Sequence, residues 1–383
     1  MSVESMYAPH SMDGTLLLEA ALSAGCEVDL FPRQVMTCWQ AGATSDRRSF
    51  VHGVPQATTL SGATFAQDKR VSRALLEQAG LPIVQGATFS FRGPRAALRY
   101  TLRTGFPVHL RLAIENSVQP RILTARSRRS FRRAFDEIRH LDENATASAT
   151  NWARSAYSLT GLLDPVDDGE GNRLWAPSTR VLVERLPRRW RRFQVLVLGE
   201  EAIAVVGLGR TIGKAVDESK PVDAAGALSS AQLRGAITAA QSLPGLGLTR
   251  VELVAPASDK QRDQTSFRIR DVSERPNLSI FESARSGWGP ELADQILVDS
   301  GFSGGEQRPT HRTVHVRFEG VDDTTALESA LSPFDSPCKS DRIQGTLEAQ
   351  LRVEVPHLAR TMSECLSDGY SGARAMHVAV RED

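Results

Sequence analysis

Lysine is almost absent from this chain of 383 residues. Five lysines stand beside 41 arginines, although basic and acidic residues nearly cancel to a net charge of +1. Long apolar runs are also missing, and none approaches the roughly 20 residues that a membrane-spanning helix needs. The segment Met1–Gly14 lacks the basic stretch followed by an apolar stretch that is typical of a secretory signal. We therefore expect a cytoplasmic protein that has no membrane span.

Cysteine is scarce as well. Cys26, Cys38, Cys338 and Cys365 are the four in the chain, and no two of them stand in a CxxC spacing. This pattern excludes a disulfide framework and a structural zinc site. We expect reduced thiols that are partly buried.

Length and composition predict two or three globular domains. The chain has 383 residues, of which 41% are hydrophobic and 24% are charged, and these are ordinary values for a folded protein of that size. The glycine- and proline-containing segment 303–309 is the best candidate for a linker. The tail, residues 310–383, alternates strand and helix patterns in the order βαβ(β)αβ, which predicts a small α+β domain of the ferredoxin-like kind.

Arginine is concentrated in two clusters. One consists of Arg126, Arg128, Arg129, Arg132 and Arg133, and the other, around Trp190, of Arg185, Arg188, Arg189, Arg191 and Arg192. Such clusters can pair with phosphates and stack on bases, so nucleic-acid binding is one interpretation. The nearly balanced net charge favours a solvated or anion-facing surface instead, and nucleic acid is not expected as a partner.

A series of short motifs follows a defined order between residues 47 and 300. The motifs are RRSFVH (47–52), ATT (57–59), AQDK (66–69), LL (75–76), AGLP (79–82), VLVERLP (181–187), FQVLVLG (193–199) and DVSERP (271–276). Each is weak alone, and their order and spacing carry the information. Together they resemble the ATP-grasp superfamily, especially the ATP-grasp domain of cyanophycin synthetase and related amino-acid ligases.

The resemblance implies an α/β fold, a two-lobed clamp that holds ATP between its sheets, followed by the small α+β domain. We expect an N-terminal α/β lead-in at 1–60, an ATP-grasp-like domain at 61–305 and the small domain at 306–383. The implied activity is an ATP-dependent carboxylate–amine ligase that acts through an acyl phosphate. Its substrates would be a small amino-acid-like carboxylate and an amine, and its cofactors ATP and Mg²⁺.

The resemblance also assigns roles to individual residues. It implies nucleotide-binding roles for Lys69, Arg111 and Glu184, catalytic roles for Arg111 and Arg210, and magnesium ligation by Glu252, Asp271 and Ser273. These residue types suit the chemistry, because Mg²⁺ takes hard oxygen ligands. Positive charge must also offset the transferring phosphoryl group.

Several positions depart from the family pattern. Arg111 stands where the family has a lysine, Asp271 where it has glutamate, and Ser273 where it has asparagine. The segment 115–123, at the place of the glycine-rich flap, contains no glycine. Asp271 is one methylene shorter than glutamate, and Ser273 offers only a neutral, weak ligand.

These departures leave two interpretations open. The chain is either an active ligase with a remodelled site or a catalytically degenerate ATP-grasp protein that serves as a scaffold or partner subunit. The active form requires Lys69, Glu252 and Asp271 to converge on one cleft. The degenerate form predicts that Arg191 and Arg192 occupy the place where the family binds the ribose of ATP, with no acidic residue nearby. In either case we expect a homo-oligomer, because a small two-layer sheet often exposes an edge.

Overall fold

The structure is a computed structural model. It describes residues 12–32, 34–43, 46–114, 122–147, 165–167, 173–175, 180–187, 190–212, 215–216, 220–256, 266–302, 311–332, 338–341, 343–366 and 372–382. The fold is mixed α/β. None of the described helices combines the length and the apolarity that a membrane crossing requires.

The secondary-structure elements are numbered here in chain order. The strands are β1 (Cys26–Phe31), β2 (Val35–Gln40), β3 (Arg48–Val51), β4 (Val54–Pro55), β5 (Gln85–Ser90), β6 (Val108–Leu112), β7 (Leu123–Ala125), β8 (Pro165–Asp167), β9 (Arg173–Trp175), β10 (Arg180–Arg185), β11 (Trp190–Leu198), β12 (Glu201–Ile212), β13 (Ala215–Val216), β14 (Val222–Asp223), β15 (Leu248–Pro256), β16 (Arg268–Ser273), β17 (His311–Glu319), β18 (Cys338–Asp341), β19 (Thr346–Glu354) and β20 (His377–Glu382). The helices are α1 (Met12–Ser23), α2 (Leu60–Gln67), α3 (Lys69–Gln78), α4 (Pro94–Thr104), α5 (Arg128–Ala147), α6 (Ser230–Gln241), α7 (Leu278–Ala284), α8 (Trp288–Asp299), α9 (Thr324–Leu331) and α10 (Val355–Cys365).

The chain divides into two compact units. Unit 1 consists of residues Met1–Ala57 and Arg275–Asp383, and unit 2 of residues Thr58–Glu274. The predicted domains 1–60, 61–305 and 306–383 stay predictions. The two units are assembled by long-range strand pairing, which the order of elements along the chain does not reveal.

Unit 1 contains an eight-stranded antiparallel sheet in the order β18-β19-β17-β20-β1-β2-β3-β4. Alternation along β17 explains how the sheet forms, since Val314, Val316 and Phe318 are buried while the side chains between them face outward. The C-terminal strands and helices do follow the predicted βαββαβ order. Their sheet continues through the pairing of β20 with β1, and the ferredoxin-like classification stays a prediction.

Unit 2 contains two larger sheets, each with its own core. The first has the order β5-β10-β6-β7, and the second has the order β13-β12-β11-β15-β16, with β14 also paired to β12. Helices α4 and α5 cover the first sheet, and α2, α3 and α6 contribute buried side chains to the core of the second. Strands β8 and β9 pair with each other.

Helix α3 is placed between these two sheets by local capping and by the backbone. Asp68 caps its start by accepting from the Arg70 N–H at 2.9 Å. The Lys69 N–H donates to the Ala113 carbonyl just beyond β6, at 2.8 Å. The chain that follows α3 runs beside β16, where the Val84 N–H donates to the Ile269 carbonyl at 2.9 Å. The first residue of α3 therefore lies where it can contact strands of both sheets.

Candidate functional site: a buried ion-pair network

Lys69 is the first residue of α3, and its ammonium group is buried. The residue is 4% exposed. Its Nζ donates to the Ala66 carbonyl at 2.8 Å and to the Val272 carbonyl at 3.3 Å, and it lies 2.8 Å from Asp271 Oδ1. Lys69 is therefore held by the end of α2 and by β16.

Asp271 lies in β16 and contacts a second basic group. Arg111, from the middle of β6, donates from Nη1 to Asp271 Oδ2 at 2.9 Å. Each carboxylate oxygen of Asp271 thus faces one basic side chain, Lys69 on one side and Arg111 on the other. All three residues are buried.

Glu252 lies opposite Asp271 on the neighbouring strand β15. Its Oε1 accepts from Arg270 Nη1 at 2.7 Å and from Arg192 Nε at 2.9 Å. Glu252, like Asp271, therefore contacts two basic side chains. The degenerate interpretation predicted no acid near Arg192, and this expectation is wrong because Glu252 pairs with it directly.

A register shift brings Arg270 and Asp271 to the same site. Successive side chains of a regular strand point to opposite faces. Here Glu252 pairs with Asp271 but Leu253 pairs with Ile269, so Arg270 is an extra residue on β16. A bulge of this kind bends the strand and redirects a side chain.

Glu184, in β10, connects the two halves of the cluster. The residue is 0% exposed and faces three guanidinium groups, at 3.3 Å for Arg270, 3.4 Å for Arg111 and 3.6 Å for Arg73. Arg73 comes from α3, one turn after Lys69, so both basic residues lie on the same side of that helix.

We call this set the buried ion-pair network. Its members are Lys69, Arg73, Arg111, Arg192, Arg270, Glu184, Glu252 and Asp271. Five are basic and three are acidic, so the network carries a surplus of positive charge. Buried charges persist only when they are paired and hydrogen-bonded, and the contacts above supply that pairing.

The electrostatics keep all three acids ionised. Burial alone would raise the pKa of Glu252, but Arg192 and Arg270 lower it to about 2. Burial also opposes ionisation of Asp271 and Glu184, and again the neighbouring basic groups hold both pKa values below the usual range. Burial and the positive charge of Arg270 lower the pKa of nearby His109 to about 3, so this histidine is neutral.

The arrangement does not suit magnesium. Mg²⁺ requires oxygen ligands that are free to coordinate it, whereas Glu252 Oε1 and both oxygens of Asp271 are directed at basic groups. In the described part of the chain, no group of three or more His, Cys, Asp or Glu side chains is placed to hold a metal ion. A dication would also be repelled by the positive surplus of the network.

The two remaining predicted site residues lie on strands β16 and β12 of the same sheet. Ser273 is buried at the end of β16, opposite Arg250. Arg210 lies in β12 opposite Arg191, and its side chain lies outside the described residues. Arg188, Arg189 and the predicted linker 303–309 also lie outside them.

Sequence reasoning missed Arg73 and Arg270. The spacing of four between Lys69 and Arg73 was visible in the sequence and places both on one helix face. Arg270 precedes Asp271 directly, and regular alternation would send it to the opposite face of the sheet. Only the bulge between β15 and β16 reveals its role.

Comparison with known proteins finds similarity in structure only. No family model and no curated protein matches the chain. The ATP-grasp ligase PsnB, complexed with precursor peptide PsnA2 and AMPPNP, matches at 15% identity and a TM-score of 0.38, over 62% of this chain and 59% of that chain. The D-alanine–D-alanine ligase from Coxiella burnetii matches at 14% identity and a TM-score of 0.38, over 63% of this chain and 59% of that chain. The D-alanine–D-alanine ligase from Bacillus anthracis, complexed with ATP, matches at 10% identity and a TM-score of 0.41, over 63% of this chain and 67% of that chain.

All three of these solved structures are ATP-grasp ligases. The chain spans about 59% of the length of the first two. At these identities and TM-scores the likeness carries no conclusion about family, substrate, cofactor or activity.

Proposed function

We propose that the chain is a catalytically degenerate ATP-grasp protein that acts as a scaffold or partner subunit and does not turn over ATP. The absence of an acid near Arg192, which this interpretation predicted, is not found, and the proposal depends on a different observation. Glu252 and Asp271, the metal ligands that the resemblance implies, each contact two basic side chains of the chain itself.

The proposal has a physical basis in charge compensation. In a magnesium-dependent site, facing carboxylates are held together by the cation between them. Here Arg270, Arg111 and Lys69 supply that positive charge from within the protein, so the carboxylates are stabilised without a metal. Removing a basic partner to admit Mg²⁺ would break buried pairs, at a cost of about 3–5 kcal/mol for each.

A second candidate function is the active carboxylate–amine ligase. It is favoured by the convergence that this activity requires, since Lys69 lies 2.8 Å from Asp271 and Glu252 lies opposite Asp271 on the adjoining strand. In that case Lys69, Arg111, Arg210 and Glu184 would bind or act on ATP, and Mg²⁺ would have to displace basic groups from Glu252 and Asp271. The substrates would be a small amino-acid-like carboxylate and an amine.

Titration with Mg-ATP separates the two functions. A ligand at about 100 times its dissociation constant stabilises the folded state by roughly 2.7 kcal/mol, which a thermal melt registers. The degenerate protein is expected to show no magnesium-dependent shift with millimolar ATP, and no ADP release with a panel of amino acids and amines.

The variant Asp271→Asn provides the matched test. In an active ligase it would abolish ADP release and any magnesium-dependent shift that the wild type shows. In the degenerate protein the variant lowers the melting temperature, and Mg-ATP still causes neither a shift in melting temperature nor ADP release. A magnesium-dependent shift in the wild type that Asp271→Asn removes would overturn the proposal in favour of the ligase.

A non-catalytic protein of this kind would act by binding a partner. The partner that we propose is a second copy of the chain, in keeping with the cytoplasmic homo-oligomer expected from the sequence. Sedimentation of the purified chain would test this directly, because a monomer at micromolar concentration would exclude self-association as its role.

A further inference from the structure

Helices α4 and α5 form one layer over the four-stranded sheet of unit 2. Ala97 from α4 and Phe131 and Phe135 from α5 are buried in the same core. The ring of Phe91, just before α4, lies 5.7 Å from that of Phe135, edge to face. The two helices therefore bury their apolar sides together and expose their opposite sides.

The exposed side of this layer is densely basic. Nine exposed arginines lie on the two helices or immediately before them: Arg92, Arg95, Arg99, Arg103, Arg126, Arg128, Arg129, Arg132 and Arg133. We call them the basic helix layer. In the described part of the chain, none of the nine forms an ion pair with a carboxylate, whereas the nearby Arg139 pairs with Asp136 at 3.6 Å.

The charge of this layer is segregated from the rest of the chain. The whole protein has a net charge of only +1, so a general preference for arginine over lysine does not explain nine arginines on one surface that have no carboxylate partner among the described residues. Like charges placed side by side are unfavourable unless a counterion or partner neutralises them. The surface is therefore complementary to a polyanion.

The residues between the arginines narrow the choice of polyanion. Protein interfaces usually have an apolar centre with aromatic anchors. Of the large apolar side chains that are exposed in the described residues, only Leu102, at 41%, lies on this layer. Single-stranded nucleic acid needs exposed aromatic side chains on which to stack bases, and Tyr100 is half-buried. A highly positive and polar surface is typical of duplex binding.

The spacing of the arginines also suits a phosphate backbone. Arg95, Arg99 and Arg103 recur every four residues along α4, and Arg128 and Arg132 do so along α5. Four residues of helix rise about 6 Å. Each helix therefore presents a row of regularly spaced guanidinium groups, which can contact several phosphates of one backbone at once.

We propose that the basic helix layer binds the phosphate backbone of duplex DNA, without reading its sequence. This differs from the expectation drawn from net charge, because net charge averages over the chain while the fold places two basic helices side by side. The proposal does not depend on whether unit 2 binds ATP.

Fluorescence anisotropy with a labelled DNA duplex of arbitrary sequence tests the proposal. The wild type is expected to bind, with an affinity that falls steeply as salt rises. The variant Arg128→Gln/Arg129→Gln/Arg132→Gln/Arg133→Gln is expected to bind roughly tenfold or more weakly. Its slope of log affinity against log salt should be smaller by about 3–4, since each lost phosphate contact contributes about 0.9.

A matched control removes the same charge elsewhere. Arg234→Gln/Arg268→Gln/Arg352→Gln/Arg374→Gln neutralises four exposed arginines outside the layer, and its affinity and salt slope should remain close to those of the wild type. If the α5 variant fails to fold, Arg95→Gln/Arg99→Gln on α4 repeats the test, with a slope change of about 2.

Four outcomes would overturn the proposal. They are no binding of the duplex at low salt, equal weakening by the control variant, tighter binding of an RNA duplex of the same length, and competition by polyglutamate as effective as by unlabelled duplex. The last would assign the layer to an acidic protein segment.

Discussion

Unit 2 uses arginine in two opposite ways. In the buried ion-pair network, Arg111 and Arg270 are almost fully enclosed, and each contacts two carboxylates. On the basic helix layer, arginines such as Arg99 and Arg132 are exposed and have no carboxylate partner in the described residues. The same residue type therefore serves as an internal counterion in one region and as an outward-facing charge in the other.

The difference shows what burial demands of a charged group. A guanidinium removed from water must recover its lost hydration through ion pairs and hydrogen bonds. An exposed guanidinium stays hydrated, so it can remain unpaired at little cost and is available to an external anion. Stability should therefore depend strongly on the first group and weakly on the second.

The largest effect is expected for Arg270→Leu. The change leaves Glu252 with one basic partner and Glu184 with two, in a buried environment. We expect the free energy of unfolding to fall by about 3–5 kcal/mol, because uncompensated buried charge is costly. Urea denaturation at neutral pH measures it.

Arg268→Leu is the matched control, on the same strand two residues away but exposed. Its effect should lie within about 0.5 kcal/mol. The comparison between buried and exposed arginine would break down if Arg270→Leu cost no more than Arg268→Leu. The comparison would become sharper if Arg270→Leu lowered the free energy of unfolding by less in a Glu252→Leu background than in the wild type.

An intermediate effect is expected from acidification. Burial and Arg270 lower the pKa of His109 to about 3, whereas an unfolded histidine titrates near 6.5. Between these values the unfolded chain binds a proton that the folded chain does not. The titration of His109 therefore leaves the free energy of unfolding unchanged above about pH 6.5. Below that pH it lowers the free energy of unfolding toward pH 3, at up to about 1.4 kcal/mol per pH unit.

Denaturation of His109→Gln across this range provides the measurement. The variant should lose stability less steeply than the wild type between neutral and mildly acidic pH, while His140→Gln, an exposed position on α5, should follow the wild type. Below about pH 4.5 every variant should lose further stability, because the lowered pKa of Glu252 adds a second acid-sensitive group. If the free energy of unfolding depended on pH in the same way for His109→Gln and the wild type above about pH 4.5, the attribution of this acid sensitivity to His109 would be wrong.

The smallest effect is expected on the basic helix layer. The variant Arg128→Gln/Arg129→Gln/Arg132→Gln/Arg133→Gln removes exposed charges that pair with no carboxylate in the part of the chain that the structure describes. Its free energy of unfolding should stay within about 1 kcal/mol of wild type, with any change toward greater stability at low salt as like charges are removed. A loss comparable to that of Arg270→Leu would show that these arginines have structural partners.

The sequence set one condition on the site, namely that an active ligase requires Lys69, Glu252 and Asp271 to converge. In the structure Lys69 contacts Asp271, and Glu252 lies opposite Asp271 on the adjoining strand. Their pairing with Arg270 and Arg192 was not predictable, because it depends on a bulge and on a strand pairing far apart in sequence. The roles assigned to these residues in ATP and magnesium binding stay predictions.

The fold shows the same division. Alternation in β17 and the helix start at Asp68–Lys69 follow from local sequence, since side-chain periodicity and capping act over a few residues. The join between β1 and β20, which makes one sheet of the two chain ends, is decided only in three dimensions.

The sequence by itself determined which residues are charged, which helices are amphipathic and in what order the motifs occur. The tertiary structure decided which of those charges neutralise one another and which remain exposed. The physical reason is that pairing and burial depend on distances between segments that are remote along the chain, whereas periodicity depends only on neighbours.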